Sequence, residues 1–243
     1  MSVKKTLQNI ILGFVPSRKM RHRIRLYMNV DVKKYVEFAR RDAGLPNARV
    51  KIFQGHGGQK KMIVVLDNRV AYKFVLDASR ADGPRREKMF TDAFRDLSPI
   101  PLPNMTVLNF NGFDVLKYDF VAGKTVANMD AKTLRKFTPI IAHQLAEFMF
   151  AVGGGDPVSL REFKPSVDAK PGCLYGWSHN DMGGNFVVCP DTGKITAFID
   201  WETAAFCDWG RDIIAAHRFF VKHGAPDIIP AALIEYSKLF ANR

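Results

Sequence analysis

The spacing of apolar and polar positions predicts two helices at the N-terminus followed by a strand-rich segment. Within residues 17–29, apolar and basic side chains fall on different faces at helical spacing, and residues 32–43 repeat the helical pattern up to Gly44. From residue 50 to residue 76, three short apolar runs are separated by turn residues, which is typical of strands. We therefore expect a helical extension over residues 1–48 and an antiparallel meander after it.

A helix and a hairpin complete the strand-rich segment. Pro84 is well placed in the first turn of a helix that the pattern extends to Phe94. Asn111-Gly112 then separates two apolar runs, residues 106–110 and 113–120, and an Asn-Gly pair between such runs is typical of a two-residue hairpin turn. The strand-rich segment is therefore predicted to end near residue 120.

The remainder of the chain is predicted to be mainly helical. One broad apolar stripe over residues 134–149 predicts a core helix that ends at Gly153-Gly154-Gly155. A short β-hairpin is expected around the Asp191-Thr192-Gly193 turn, and two helical patterns, 212–221 and 229–240, close the chain. The order of these elements predicts an α+β fold in three segments, at residues 1–48, 49–120 and 121–243.

The positive charge of the chain is concentrated near its N-terminus. Residues 1–51 hold 13 Lys or Arg and 3 Asp or Glu, which accounts for most of the net charge of +12. Three interpretations of the basic helix at residues 17–29 remain open: a solvated face packed on its own domain, peripheral contact of residues 1–28 with an anionic membrane, and a nucleic-acid patch. Nucleic-acid binding is the least favoured of the three.

The sequence lacks the patterns that we expect of a secreted or zinc-binding protein. The apolar stretch at residues 10–15 is shorter than the roughly 20 residues that span a bilayer, and Pro16 leads directly into a basic run. Cys173, Cys189 and Cys207 are scattered and lack the spacings of a zinc site. We therefore expect a cytoplasmic protein, and peripheral contact with the inner face of the membrane stays an open alternative.

The residues that say most about chemistry lie between Ser178 and Glu202. Asp181 and Asn185 stand in one loop, and Asp200 follows the predicted hairpin. Phosphoryl transfer requires a carboxylate that orients the attacking hydroxyl and oxygen ligands that hold Mg²⁺ on the phosphates. Because the hairpin can bring Asp200 back beside the other two residues, these three are candidates for that set.

An upstream set of residues fits the phosphates of a nucleotide. Gly55, Gly57 and Gly58 form a turn between two predicted strands, where the backbone can approach a phosphate closely. Lys73 is a lone charge inside an apolar strand, and Glu87 on the next helix can pair with it. A lysine held in this way is the group expected at the α and β phosphates of ATP.

These elements, taken in order, resemble the aminoglycoside phosphotransferase and choline kinase family from about residue 50 to residue 220. The specific part is C-terminal and consists of His179-Asn180-Asp181, Asn185 and Asp200-Trp201-Glu202. The resemblance implies a two-lobed, protein-kinase-like fold, with a small antiparallel N-lobe that carries one helix and a mainly helical C-lobe. It also implies that Asp181 is catalytic and that Asn185 and Asp200 bind the metal ion.

The resemblance also implies that the hinge between the two lobes takes part in nucleotide binding. Residues 116–123 resemble the hinge between the lobes, whose backbone hydrogen-bonds adenine in the family. Residues 208–212 resemble an Asp-Pro-x-x-Asp element with Trp209 in place of Pro, so that Asp212 is expected to brace the catalytic loop. The nucleotide-binding residues that the resemblance implies are Lys73 with Glu87 as its partner, Gly55, Gly57, Gly58, Asp119 and Val121.

The catalytic loop departs from the family's usual length. Three residues separate Asp181 from Asn185 where four are usual, so the maximum reach of the loop is about 3.5 Å shorter. Gly183 and Gly184 can absorb this difference because glycine adopts backbone angles that other residues avoid. The predicted role of Asn185 therefore depends on the conformation of these two glycines.

The predicted activity is that of an ATP-dependent, Mg²⁺-requiring phosphotransferase with an alcohol group of a small molecule or saccharide as acceptor. The segment after Glu202 is slightly basic, which disfavours a cationic aminoglycoside, and the basic N-terminus favours a cell-surface glycan or a lipid-linked sugar. The alternatives are a choline or amino-alcohol kinase with an aromatic cage, an aminoglycoside kinase, and a catalytically inactive kinase-like binding protein. His179, Trp201 and Trp209 are expected to be structural.

Overall fold

The computed structural model describes residues 15, 17–54, 60–164, 173 and 175–241. The chain forms two compact units. The first contains residues up to Pro84 together with residues 106–120, and the second contains residues 85–105 together with those from Val121 onward. No helix among the described residues is both long enough and apolar enough to cross a membrane.

The first unit is a five-stranded sheet with two helices before it. The strand order is β1-β2-β3-β5-β4, and the pairs β1/β2, β2/β3 and β3/β5 are antiparallel. Asn111 and Gly112 both have positive φ, 53° and 80°, as the predicted two-residue hairpin turn requires. Its elements are α1 (Arg18–Asn29), α2 (Val32–Ala43), β1 (Val50–Gln54), β2 (Lys61–Leu66), β3 (Val70–Val75), β4 (Met105–Phe110) and β5 (Phe113–Asp119).

The helices of the first unit share one hydrophobic core with the sheet. Leu26 of α1 and Ala39 of α2 are fully buried, and the rings of Tyr35 and Phe38 pack against Phe74 of β3. Helix α2 ends where the sequence predicts, because Gly44 adopts a left-handed conformation and caps it. The predicted segment boundaries at residues 48 and 120 stay predictions.

The second unit is mainly helical and also contains two small sheets, of strand order β6-β8-β9 and β7-β10. Trp201 is fully buried and Trp209 is 9% exposed, so both are core residues, as expected. Its elements are α3 (Gly83–Phe94, which belongs to this unit from Arg85 onward), β6 (Lys124–Thr125), α4 (Ala131–Lys136), α5 (Thr138–Gly153), β7 (Tyr175–Ser178), β8 (Phe186–Val188), β9 (Ile195–Phe198), β10 (Ala205–Asp208), α6 (Gly210–Lys222) and α7 (Ile228–Ala241).

The prediction of one continuous helix over residues 134–149 was wrong. The segment is split into α4 and α5, and Phe137 lies between them with φ −102° and ψ 12°. Pro139 stands in the first turn of α5, where it has no N–H to donate to a carbonyl of α4. Phe137 also packs on Gly193, where an added Cβ would lie 2.3 Å from the Phe137 Cγ. The break therefore lets Phe137 cover the hairpin turn.

The prediction of a single β-hairpin in the helical segment was incomplete. The hairpin β8/β9 forms around Gly193, as predicted, but β7 pairs antiparallel with β10 in a second sheet. The register places Ser178 opposite Ala205. Both strands have four residues, and β7 contains a glycine, so neither shows the alternation that marks a strand in the sequence. The loop that contains Asp181 directly follows β7 of this second sheet.

Candidate active site

The loop that carries Asp181 follows β7 and is held by Asp212 of α6. The carboxylate of Asp212 accepts hydrogen bonds from the Ser178 hydroxyl at 2.7 Å, the Asn180 backbone N–H at 2.8 Å and the Met182 backbone N–H at 2.9 Å. Asp212 is 5% exposed, and Asn180 has a positive φ of 63°. The expected bracing role of Asp212 is therefore confirmed, since its carboxylate holds the backbone on both sides of Asp181.

Asp181 and Asn185 lie in contact despite the shortened loop. The Asn185 amide Nδ2 donates to the Asp181 Oδ2 and to the Asp181 backbone carbonyl, both at 2.9 Å. The backbone carbonyl of Asn185 accepts a hydrogen bond from the Ile199 N–H at 2.8 Å, so Asn185 lies beside the chain that leads into Asp200. Three intervening residues are thus enough to keep these side chains together.

The carboxyl group of Asp181 favours its protonated form more than an ordinary aspartate does. The surrounding protein removes water from this carboxyl and raises its pKa, although the residue as a whole is exposed. The hydrogen bond from Asn185 works in the opposite direction because it stabilises the carboxylate. An exposed carboxyl with a raised pKa is suited to accept a proton from a bound hydroxyl.

Asp200 lies in a cluster of three carboxylates. It follows β9 in a left-handed conformation, φ 67° and ψ 52°, and its backbone N–H donates to Glu87 Oε1 at 3.1 Å. One carboxylate oxygen from each of Glu87, Asp200 and Glu202 lies within 4.8 Å of the others. These are hard oxygen donors of the kind that Mg²⁺ prefers, so the chemistry of the cluster fits that ion.

Sequence reasoning missed Glu202 as a member of this cluster. Glu202 stands two residues after Asp200 in a short 3₁₀ turn, and this proximity in sequence was the available signal. Glu87 was expected to pair with Lys73, whereas the structure shows that Glu87, 2% exposed, also hydrogen-bonds Asp200. The arrangement can hold a divalent cation close to the loop of Asp181 and Asn185.

His179 has a structural environment. Its ring is 1% exposed, stacks on Phe198 with a centroid distance of 4.3 Å and contacts Trp201 edge-on. Nε2 lies 2.9 Å from the Ile199 carbonyl, which can only accept, so this nitrogen carries the proton. Burial lowers the pKa of His179, and the neutral ring therefore ties the loop to the end of β9.

The residues predicted to bind nucleotide are spread over both units. Lys73 is 5% exposed in β3, opposite Ile63 of β2 and Leu116 of β5. Asp119 is the last residue of β5, and Val121 begins the next stretch of the second unit. The ion pair between Lys73 and Glu87 stays a prediction. Gly55, Gly57 and Gly58 lie outside the described residues.

Comparison with known proteins identifies the fold. The sequence matches no protein-family model and no curated protein. The structure resembles a streptomycin-ATP ternary complex of APH(2")-IIa (TM-score 0.64, 11% identity, 86% of this chain and 82% of the other) and aminoglycoside-3'-phosphotransferase of type VIII (0.62, 14%, 85% and 93%). It also resembles APH(3'')-Id from Streptomyces rimosus (0.56, 16%, 85% and 92%). The chain therefore has the α+β, protein-kinase-like fold of the aminoglycoside phosphotransferases, as the sequence predicts.

Proposed function

We propose that this chain is an ATP-dependent phosphotransferase that transfers the γ-phosphoryl group of ATP to a hydroxyl group. The observation that carries the proposal is the contact between Asp181 and Asn185 beside the chain leading into Asp200. The fold supports it, because a solved structure of the same fold contains ATP and streptomycin together. A carboxylate next to an oxygen-rich cation site provides the two functions that phosphoryl transfer requires.

Each residue of the set has a defined role in this proposal. Asp181 orients the acceptor hydroxyl and accepts its proton while the hydroxyl oxygen attacks the γ-phosphorus in line with the leaving ADP oxygen. Asn185 and Asp200 would hold Mg²⁺, which, when bound, neutralises charge on the phosphates. Glu202 and Glu87 add oxygen donors beside Asp200. Lys73 would steady the α and β phosphates.

The charge near the loop supports an acceptor that is not a polycation. Of the four acidic residues after Glu202, Asp212 is occupied by the loop and Glu235 is paired with Lys238. These two carboxylates already have partners, so they would not contribute to an acidic pocket for an amine-rich acceptor. We therefore propose a saccharide acceptor, such as a cell-surface glycan or a lipid-linked sugar, rather than an aminoglycoside like the kanamycin or streptomycin bound in structural neighbours.

Peripheral contact with an anionic membrane is part of the same proposal. Helix α1 buries Leu26 in the core of the first unit and exposes Met20 (55%) and Tyr27 (51%), which share one face at an interval of seven residues, and Arg25 on another face. A helix that exposes both apolar and basic side chains is what a membrane surface with anionic lipid attracts. This contact would bring the chain to a lipid-linked acceptor.

A choline acceptor receives less support from the aromatic side chains. Phe220 is fully buried and Trp209 nearly so, and both pack in the core of the second unit. A cage for a quaternary ammonium group requires ring faces that are open to the ligand. Phe206, Phe219 and Tyr236 are partly buried against the same core. Choline therefore remains the second candidate acceptor.

ATP consumption by the purified full chain tests the proposal. The assay contains Mg²⁺ and a panel of sugars, amino alcohols, aminoglycosides and membrane glycolipid extracts. We expect acceptor-dependent turnover that Asp181→Ala lowers roughly 10²- to 10⁴-fold, because proton transfer by a positioned side chain contributes that much. The matched control is Asp191→Ala, since Asp191 is an exposed aspartate in the β8/β9 turn.

The same assay separates the alternatives. Turnover of choline but not of saccharides would replace the proposed acceptor and leave the phosphotransferase intact. Equal activity of Asp181→Ala and wild type would contradict the role of the loop. ATP binding that is independent of Mg²⁺, with no turnover on any acceptor, would favour an inactive kinase-like binding protein.

A further inference from the structure

The middle of the catalytic loop is packed directly against α6. Residues Met182–Gly184 form one 3₁₀ turn that lies on the helix. A Cβ added at Gly183 would lie 2.8 Å from the Phe219 Cβ and 3.0 Å from its Cγ, and one added at Gly184 would lie 3.2 Å from the Phe219 Cε2. The glycine pair thus touches both the stem and the ring of a single side chain.

Backbone conformation does not explain why these two positions are glycine. Neither Gly183 nor Gly184 has a positive φ, so an L side chain meets no intrinsic strain there. What excludes a side chain at Gly183 is the proximity of the Phe219 Cβ, 2.8 Å from an added Cβ. The close approach of the loop to the helix is therefore the feature that requires glycine.

One face of α6 contacts the loop, and the C-terminal cap of the helix contacts Phe219 on that face. Asp212, Ala216, Phe219 and His223 recur at intervals of four, three and four residues, which is the spacing of one helical face. Asp212 holds the start of the loop through backbone N–H groups, and Phe219 touches its middle. The ring of Phe219 stacks on His223 at 4.0 Å, and His223 Nδ1 lies 2.8 Å from the Phe219 carbonyl. Phe219 is thereby held in place.

We propose that Phe219 is a positioning residue that keeps the shortened loop seated on α6, so that Asn185 faces the metal site beside Asp181. This inference rests on the proposed phosphotransferase function. Asn185 directly follows Gly184, so any movement of the glycine pair moves Asn185 first. Asp212 holds the loop as far as Met182, and the Ile199 N–H holds the backbone carbonyl of Asn185. Phe219 supplies the contact between these two points, at Gly183 and Gly184.

The first test is Phe219→Ala in the full chain. Groups that orient metal ligands typically contribute 10- to 100-fold, so we expect the Mg²⁺ concentration for half-maximal turnover to rise by roughly that factor. Phe219→Leu keeps the stem beside Gly183 and loses the ring beside Gly184, and its effect is expected to be intermediate. Phe240→Ala is the matched control, because Phe240 is 63% exposed on α7.

A second test changes the loop side of the same contact. Gly183→Ala places a methyl group against the Phe219 Cβ and is expected to raise the Mg²⁺ requirement as Phe219→Ala does. Its control is Gly153→Ala, since a Cβ at Gly153 meets no atom within 4 Å. A readout that needs no turnover is hydrogen exchange of residues 179–186 without metal. Exchange in this segment is expected to be about tenfold faster in Phe219→Ala and in Gly183→Ala than in the wild type. The control variants are expected to keep the wild-type exchange rate and the wild-type thermal unfolding midpoint.

The outcomes separate this inference from the proposed function. Wild-type turnover, with unchanged Mg²⁺ requirement and unchanged loop exchange in both Phe219→Ala and Gly183→Ala, would overturn the positioning role and leave the phosphotransferase standing. An inactive wild type that binds no Mg²⁺-nucleotide would overturn the proposed function, and the inference with it. If Phe219→Ala does not fold, Phe219→Leu and Gly183→Ala decide the question by the same readouts.

Discussion

Two aspartates tie a helix to the chain beside it, one in each unit, and they do so in different surroundings. Asp212 of α6 is 5% exposed and accepts hydrogen bonds from two backbone N–H groups and one hydroxyl. Asp42 of α2 has a side chain that is 28% exposed. It accepts from the Tyr72 hydroxyl and the Lys117 ammonium group, both at 2.7 Å.

The difference between these aspartates shows which of them determines a conformation. The donors to Asp212 are mainly backbone groups next to Asp181, so the carboxylate fixes the path of the chain, and its burial limits replacement by water. The donors to Asp42 are the ends of two side chains, the buried Tyr72 and the partly exposed Lys117, so this carboxylate holds no backbone group, and water can substitute for it at Lys117. We therefore expect Asp212 to control the loop and Asp42 only to fasten α2 to the sheet.

Asp212→Ala gives the largest expected effect. It leaves the buried Met182 N–H without its acceptor, removes the partner of the Ser178 hydroxyl, and leaves the Asn180 N–H with the Ser178 Oγ at 3.3 Å, so we expect the free energy of unfolding to fall by about 3 kcal/mol. Denaturant unfolding measures this loss, and Asp191→Ala in the β8/β9 turn is the control. A loss below about 1 kcal/mol would mean that water reaches the loop backbone and that the two aspartates are equivalent.

Asp42→Ala is expected to have a smaller effect. Removing the acceptor of the partly exposed Lys117 and of the buried Tyr72 hydroxyl should lower the free energy of unfolding by about 1 to 2 kcal/mol, because water replaces the bonding at Lys117 more readily than at Tyr72. Phosphotransferase turnover should stay unchanged, since the hydrogen bonds of Asp42 in the described part of the chain go to Tyr72 of β3 and Lys117 of β5. Denaturant unfolding and the ATP assay on the same preparation check both statements, and a large loss of turnover would contradict the comparison.

The smallest expected effect is the pH dependence of the contribution from Asp42. Burial opposes its ionisation, but the hydrogen bonds from Lys117 and Tyr72 and the charge of Lys117 outweigh burial and hold the pKa of Asp42 below its ordinary value of 3.8. A carboxyl whose pKa is lowered by folding stabilises the protein above its unfolded pKa and loses that contribution as the pH falls through the folded value.

Measured as a function of pH, the difference in unfolding free energy between wild type and Asp42→Asn should therefore be constant above about pH 5. It should shrink below about pH 4, as the wild-type carboxyl becomes protonated. The variant Asp191→Asn corrects for the loss of one negative charge. A difference that grows towards acid pH would contradict the assigned sign.

The parts of the fold that sequence predicts well are those set by local chemistry. The Asn111-Gly112 turn, the end of α2 at Gly44 and the β8/β9 hairpin at Gly193 all form as predicted, because each depends on a few residues that tolerate positive φ. The break at Phe137 was missed because a strong apolar stripe hid the effect of Pro139. The β7/β10 sheet was missed because its strands are short and far apart in sequence.

The candidate site shows the same division. Asp181, Asn185 and Asp200 could be chosen from residue type, order and spacing, because phosphoryl transfer requires a limited set of oxygen groups. Whether the shortened loop could still bring Asn185 to Asp181 could not be read from spacing. The structure answers this with a direct hydrogen bond at 2.9 Å. Glu202 joins the cluster through folding of the 3₁₀ turn after β9.

The sequence by itself determined the class of fold, the order of its elements and the residue types available for chemistry, since these depend on periodicity and on neighbours along the chain. Only the tertiary structure decided how those residues are held. It showed that Asp212 holds the start of the Asp181 loop, that Phe219 packs on the glycine pair of that loop, and that Glu87 reaches Asp200. Such contacts join segments that are distant in sequence, and their geometry follows from the packing of a whole core.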